Sequence, residues 1–153
     1  MWGNERKVTY SYNSNDKIIL RNFSEWMLSN WYEFARIQYT YSGSNQNLTQ
    51  LNYYSFLSNA WYLDGYRVYT WNTNNYKTSI ISYFIDPIFP NFYPPTWKDE
   101  FYYDSSNVLI VKTGLDYVGY SHWVNEINDL YFYDNSGNNN KNIRQEWNNT
   151  DST

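Results

Sequence analysis

The stretch NYYSFLSNAWYLDGYRVYTW, Asn52 to Trp71, holds eight aromatic rings and two charged side chains, Asp64 and Arg67. The whole chain follows suit: 23% of its 153 residues are aromatic, with 19 Tyr and 8 Trp. A chain of this length is expected to form one domain with a real core. Two helices and a small sheet take in roughly half of so many rings. The rest must lie at the surface or beneath something outside the domain.

Charged residues make up 17% of the chain, against roughly 25% in ordinary soluble domains. Asn, Ser and Thr stand in their place. AT-rich coding accounts for Asn and Tyr but not for the scarcity of Lys. Protein interfaces are depleted in Lys and Glu and enriched in Tyr and Trp. The composition therefore points to contact with another macromolecule.

The net charge is −4 and the acid is uneven. Met1–Lys77 sums to about +2, Thr78–Asn140 to about −6 and the remainder to about 0. Such a chain lacks the basic face that duplex nucleic acid requires. A stacking site for a short single strand remains compatible with it. The chain has no Cys, which excludes disulfides, thiolate catalysis and Cys-based zinc sites. The opening MWGNERKVTYSYN lacks an apolar signal region, so a cytoplasmic or virion-associated protein is expected. No apolar run reaches membrane-spanning length, and no membrane insertion is expected.

Along the chain, KVTYSY and KIILR flank NSND and read as a hairpin. Asn22 and Glu25 match a capping box, and Met27, Leu28, Trp31, Phe34, Ala35 and Tyr39 recur at helical spacing. A helix is expected over Ser24–Tyr39. Asn47 and Gln50 repeat the cap, and Leu51, Tyr54, Leu57 and Trp61 mark a second helix over Leu48–Leu63. Tyr66–Trp71 is expected to pair antiparallel with Lys77–Ile85 around NTNN. NVLIVKT and YVGYSHW, joined by GLD, read as a third hairpin, and LYFYD as one more strand. The expected fold is α+β: a mostly antiparallel sheet with two helices packed on one face, burying Trp31 and Leu57. That domain spans 1–134, residues 135–153 form a loose polar tail, and no internal repeat is expected.

Candidate chemistry is sparse. His122 is the single histidine, in GYSHWVNE. Ser121, Asp116 and Asp129 are near it, but no nucleophile-elbow pattern accompanies it, and no catalytic role is expected. Asp86, Asp99, Glu100, Asp104 and Asp116 could hold a metal if they converged, which would suit a metal-dependent hydrolase or nuclease. With 6 Gly there is no phosphate-cradling loop. No cofactor is expected.

All four prolines lie in DPIFPNFYPPTW, together with Phe89, Phe92, Tyr93 and Trp97. Proline stiffens the segment and lowers the entropy lost on docking. These four rings, with Tyr69 and Trp71, are the expected binding residues. The leading expectation is a non-enzymatic interaction or self-assembling structural protein of the kind viruses and mobile elements encode. It would contact a partner protein or its own copies through Tyr/Trp/Asn-rich surfaces. A carbohydrate-binding module is the alternative, signalled by two exposed coplanar rings beside Asn or Asp.

Overall fold

The computed structural model describes residues 5–85, 94–118, 122–134 and 136–147. Every regular element among them is a strand: β1 Arg6–Tyr12, β2 Ile18–Met27, β3 Asn30–Ser42, β4 Asn47–Leu57, β5 Ala60–Trp71, β6 Lys77–Phe84, β7 Pro95–Tyr103, β8 Leu109–Val118, β9 His122–Tyr133 and β10 Asn139–Glu146. They form one antiparallel sheet whose spatial order follows the sequence.

The expected α+β class is therefore wrong, and neither helix exists. Ser24–Tyr39 and Leu48–Leu63 are hairpin arms that fold back at Leu28–Ser29 and Ser58–Asn59. The reason is local. Leu28 and Ser29 have φ of 48° and 70°, and Ser58 and Asn59 have 49° and 62°. Two consecutive left-handed residues make a two-residue turn whose twist matches antiparallel strands. Folding back there sets Trp26 opposite Trp31 and Phe56 opposite Trp61. Residues three, five and seven apart thus become cross-strand partners. Aromatic and β-branched residues favour that pleated arrangement.

Odd strands end in a second kind of turn. Asn13 Oδ1 accepts the N–H groups of Asn15 and Lys17 at 2.9 and 3.0 Å. Asn72, Asp104 and Asp134 do the same for Asn74 and Tyr76, Ser106 and Val108, and Ser136 and Asn138. Each turn then places one residue at positive φ: Asp16, Asn75, Asn107 and Gly137. A related turn runs from Gly43 to Gln46. Asn and Asp suit these sites because their short side chains bond the turn backbone and tolerate left-handed φ.

The polar turns recur about every 30 residues, and the first two repeats each run strand, polar turn, strand and tight turn. This corrects the expectation of no repeat. Two tyrosines occupy matching places in it. Tyr41 donates to the Ile18 carbonyl at 2.9 Å, and Tyr103 to the Lys77 carbonyl at 2.8 Å. Burial pushes both phenols above their ordinary pKa.

Three further expectations change. Gly114–Asp116 lies inside β8 rather than in a turn. β10 occupies the segment read as a loose tail and pairs with β9 from Asn139 to Glu146. Trp31 and Leu57 are not core residues, being 38% and 59% exposed. Leu57→Ala should accordingly cost less than about 0.5 kcal/mol in urea melts, as an exposed strand-end substitution does.

The chain forms two compact units, Met1–Val68 with Phe84–Tyr93, and Tyr69–Tyr83 with Pro94–Thr153. In neither unit does a described apolar side chain reach full burial. The buried positions are small: Ser24, Ser79, Ser82, Thr113, Gly65 and Gly114. In β4 every residue from Asn47 to Phe56 is half-buried. A strand with one core face alternates between buried and exposed, and β4 does not.

Candidate ligand surface

In the first unit the cations sit on rings. Cross-strand pairing sets Thr9, Asn22, Arg36 and Tyr54 in one row across β1–β4. Paired residues share a face, so Arg36 meets its neighbours on that side. Its guanidinium lies 4.7 Å from the Tyr54 ring centroid and 4.3 Å from that of Trp61. Trp61 packs against Phe56 at 5.0 Å, and Trp26 against Trp31 at 5.4 Å. Lys7 Nζ stands 5.0 Å above the Trp31 ring. The opposite face repeats the theme with Arg21 over Tyr10 and Phe23 and Arg67 over Tyr53. Such contacts are worth about 0.5–2 kcal/mol each, more where water is excluded.

None of these four cations forms a hydrogen bond or ion pair with another described residue. Arg36 Nε and Asn22 Oδ1 are buried atoms without a hydrogen-bond partner, and so is Arg21 Nε. Asn22 and Arg36 are directly opposite one another. A buried donor on β3 and a buried acceptor on β2 thus both lack a partner among the described residues.

The second unit handles charge differently. Asp99, Lys112, Asp129 and Arg144 alternate in sign across β7–β10. Lys112 contacts Asp99 at 3.0 Å, and Arg144 makes two bonds to Asp129 at 2.8 and 3.1 Å. Hydrogen bonding to Arg144, then attraction to Arg144 and Lys112, holds the Asp129 carboxyl below the usual range. Glu100 is lowered likewise by Lys98 and by the Tyr102 hydroxyl. An open groove of about 290 Å³ adjoins Asp129, Tyr131, Asn142 and Arg144, but its cation is already paired.

A carboxyl whose folded pKa lies below its unfolded value stabilises the fold above the unfolded pKa. That contribution is lost as pH falls through the folded pKa. Urea stability should therefore decline below about pH 4. Asp129→Asn should flatten the decline, removing at most about 1 kcal/mol because the pair is partly exposed.

The candidate carboxylates do not gather. Asp99 and Glu100 are consecutive on β7 and point to opposite faces. Asp104 is engaged in its turn, and Asp116 accepts the Tyr117 N–H at 2.9 Å. Asp86 lies outside the described residues. Among the described residues no acidic or histidine cluster could hold a metal ion. His122 pairs with Val118 at the start of β9, Asp129 is bound to Arg144, and Ser121 lies outside the described residues.

Of the expected binding residues, Phe89, Phe92 and Tyr93 also lie outside the described residues. Tyr69 and Trp71 are half-buried on β5. Trp97 belongs to β7, where its indole N–H donates to Asp99 at 3.0 Å and its ring covers Gly114. Sequence reasoning missed Lys7, Asn22 and Arg36. A signal existed: Lys7 with Trp31, Arg36 with Trp61 and Lys98 with Trp123 are each cation and ring about 25 residues apart, and the pairs recur at about one and then two further repeats.

Fold and surface define an all-β protein of repeated antiparallel hairpins with aromatic-backed cations. No protein-family model and no curated protein matches the sequence. Among solved structures the chain resembles a protein of unknown function from Bacteroides fragilis NCTC 9343. The TM-score is 0.67 at 15% identity, over 84% of this chain and 93% of that one. The likeness is one of fold alone.

Proposed function

We propose that the chain is a non-enzymatic interaction protein, working through sheet faces rich in Tyr, Trp and Asn that a partner protein or further copies of the chain cover. The supporting observation is β4, half-buried along ten consecutive residues with neither a core face nor a solvent face. Trp31, Tyr32 and Phe34 on β3 and Tyr62 on β5, the strands flanking it, are each at least 38% exposed. Exposed aromatic surface of this kind marks interaction sites.

A flat sugar platform finds less support, because the rings of Phe23–Phe34, Trp26–Trp31, Phe56–Trp61, Tyr76–Tyr103 and Tyr117–Trp123 are inclined by 47–64°. The metal-dependent reading finds no support in Asp99, Glu100, Asp104 and Asp116, which form no cluster among the described residues.

Light scattering on a sizing column, over a hundredfold concentration range, tests self-association. The expected result is a mass that rises above the 18.6 kDa of one chain. Replacing the exposed Trp31, Tyr32 and Tyr62 by Ala should move it back. A constant monomer mass in both proteins would exclude self-association and leave only a different partner.

A further inference from the structure

β1 is an edge strand: β2 pairs with one side of it, and among the described residues no strand pairs with the other. All seven of its residues are exposed. The Trp26 N–H donates to the Glu5 carbonyl, which fixes the alternation along the strand. Lys7, Thr9 and Ser11 turn their backbone groups toward β2, and Arg6, Val8, Tyr10 and Tyr12 turn theirs outward. Outward N–H and C=O groups are a template for another strand, and sheet edges ordinarily carry charge, proline or a bulge that blocks pairing. β1 carries charge only at Arg6 and Lys7, its first two residues. Residues 8–12 hold neither charge nor proline. The bulge near Tyr12 lies in β2, where Ile19 is the extra residue. β10, the other edge strand, carries Lys141, Arg144 and Glu146 along its length.

The open edge of β1 is self-complementary. Laid antiparallel against a second copy about a two-fold axis at Thr9, it sets Arg6 opposite Tyr12, Lys7 opposite Ser11 and Val8 opposite Tyr10. Thr9 then meets its own counterpart. This register engages the whole strand, with outward backbone groups facing outward backbone groups. It places a β-branched residue beside an aromatic one and Thr beside Thr, both favourable cross-strand pairs. The cations of the two copies fall at opposite ends of the shared ladder, so no like charges are opposed. We infer that β1 is a self-association edge, to which a second copy of the chain adds its own β1 antiparallel. An extended peptide of another protein meets the same backbone groups, but the pairing of side chains favours the strand's own sequence. The inference rests on the reading that copies of the chain associate, and gives that contact a surface separate from the aromatic sheet faces.

Cysteine trapping tests it, because the chain has no Cys of its own. Thr9 and its counterpart form a non-hydrogen-bonded pair, whose Cα separation of about 4.5 Å admits a disulfide. Thr9→Cys should oxidise to a covalent dimer about tenfold faster than Lys7→Cys or Ser11→Cys alone, since those positions oppose each other and not themselves. A mixture of Lys7→Cys and Ser11→Cys should crosslink faster than either alone. Val8→Pro removes an outward N–H without breaking the β2 ladder, and should raise the dimer dissociation constant by about tenfold or more at unchanged near-ultraviolet circular dichroism. If Val8→Pro does not fold, Thr9→Lys decides: it opposes two like charges at the axis and must weaken association, most at low salt. Equal crosslinking of the three single variants, no effect of Val8→Pro or Thr9→Lys in folded protein, or a monomer at every concentration would overturn the proposal. If Ala at Trp31, Tyr32 and Tyr62 abolishes self-association while Val8→Pro preserves it, copies meet through the sheet faces. The edge contact then falls and the reading of the faces stands. The converse result establishes the edge without the faces.

Discussion

Replacing Gly114 by Val should destabilise the protein by about 1–3 kcal/mol, the range for forcing a side chain into filled space. Gly114 sits in β8 between Asp99 of β7 and Ile127 of β9. The space a Cβ would take is occupied by the six-membered ring of Trp97. An added branched side chain must push that ring outward. The displaced indole also gives up its bond to Asp99, and the Gly114 backbone loses its cover. Gly137 provides the control. Its φ is +80° and nothing lies near a Cβ built on it, so Gly137→Asn should cost less than about 0.5 kcal/mol, Asn being tolerant of left-handed φ. Urea melts followed by circular dichroism compare the two. Equal, small effects would mean that the Trp97 ring is not seated on Gly114.

The second large effect is a gain. Leu28 and Ser29 both adopt left-handed φ, and Leu28 is 91% exposed. A left-handed conformation costs a residue with a Cβ about 1–2 kcal/mol, and the exposed leucine recovers nothing by packing. Leu28→Asn with Ser29→Gly installs the dipeptide that this turn prefers. Stability should rise by about 1–2 kcal/mol, or roughly 2–8 °C in melting temperature for a chain of this size. The same exchange within a helix over 24–39 would place Gly in the helix interior and cost about 1 kcal/mol. The sign of the change alone therefore separates the hairpin from the helix.

Some of the architecture was legible because its turns use expected chemistry. NSND and NTNN join paired strands, through Asn13 and Asn72, as their composition implies. The tight turns were hidden because Leu-Ser and Ser-Asn lack the glycine that usually announces them. Bulges obscured the strands. At Phe23/Ser24, Thr40/Tyr41 and Tyr53/Tyr54 the register slips by a residue. Each slip breaks a period of two and leaves spacings of three that mimic a helix. GLD reads as a turn because Gly114 resembles a turn residue, whereas its role within β8 is to make room for Trp97. The Arg36 surface was illegible for a different reason. Its members come from β1 to β5 and meet only through register. The scattering of Asp99, Glu100, Asp104 and Asp116 likewise follows from strand alternation and turn geometry, which the sequence spacing did not disclose.

Strand pairing across the first unit is the foundation of both the proposed function and the Arg36 surface, and one measurement addresses it. Nuclear Overhauser spectra of the uniformly labelled protein should show cross-strand backbone contacts linking Trp26 with Trp31, Arg36 with Tyr54, and Phe56 with Trp61. Runs of amide contacts between successive residues through 24–39 and 48–63, with contacts from each residue to the third beyond it, would mean helices there and would contradict the repeated-hairpin fold.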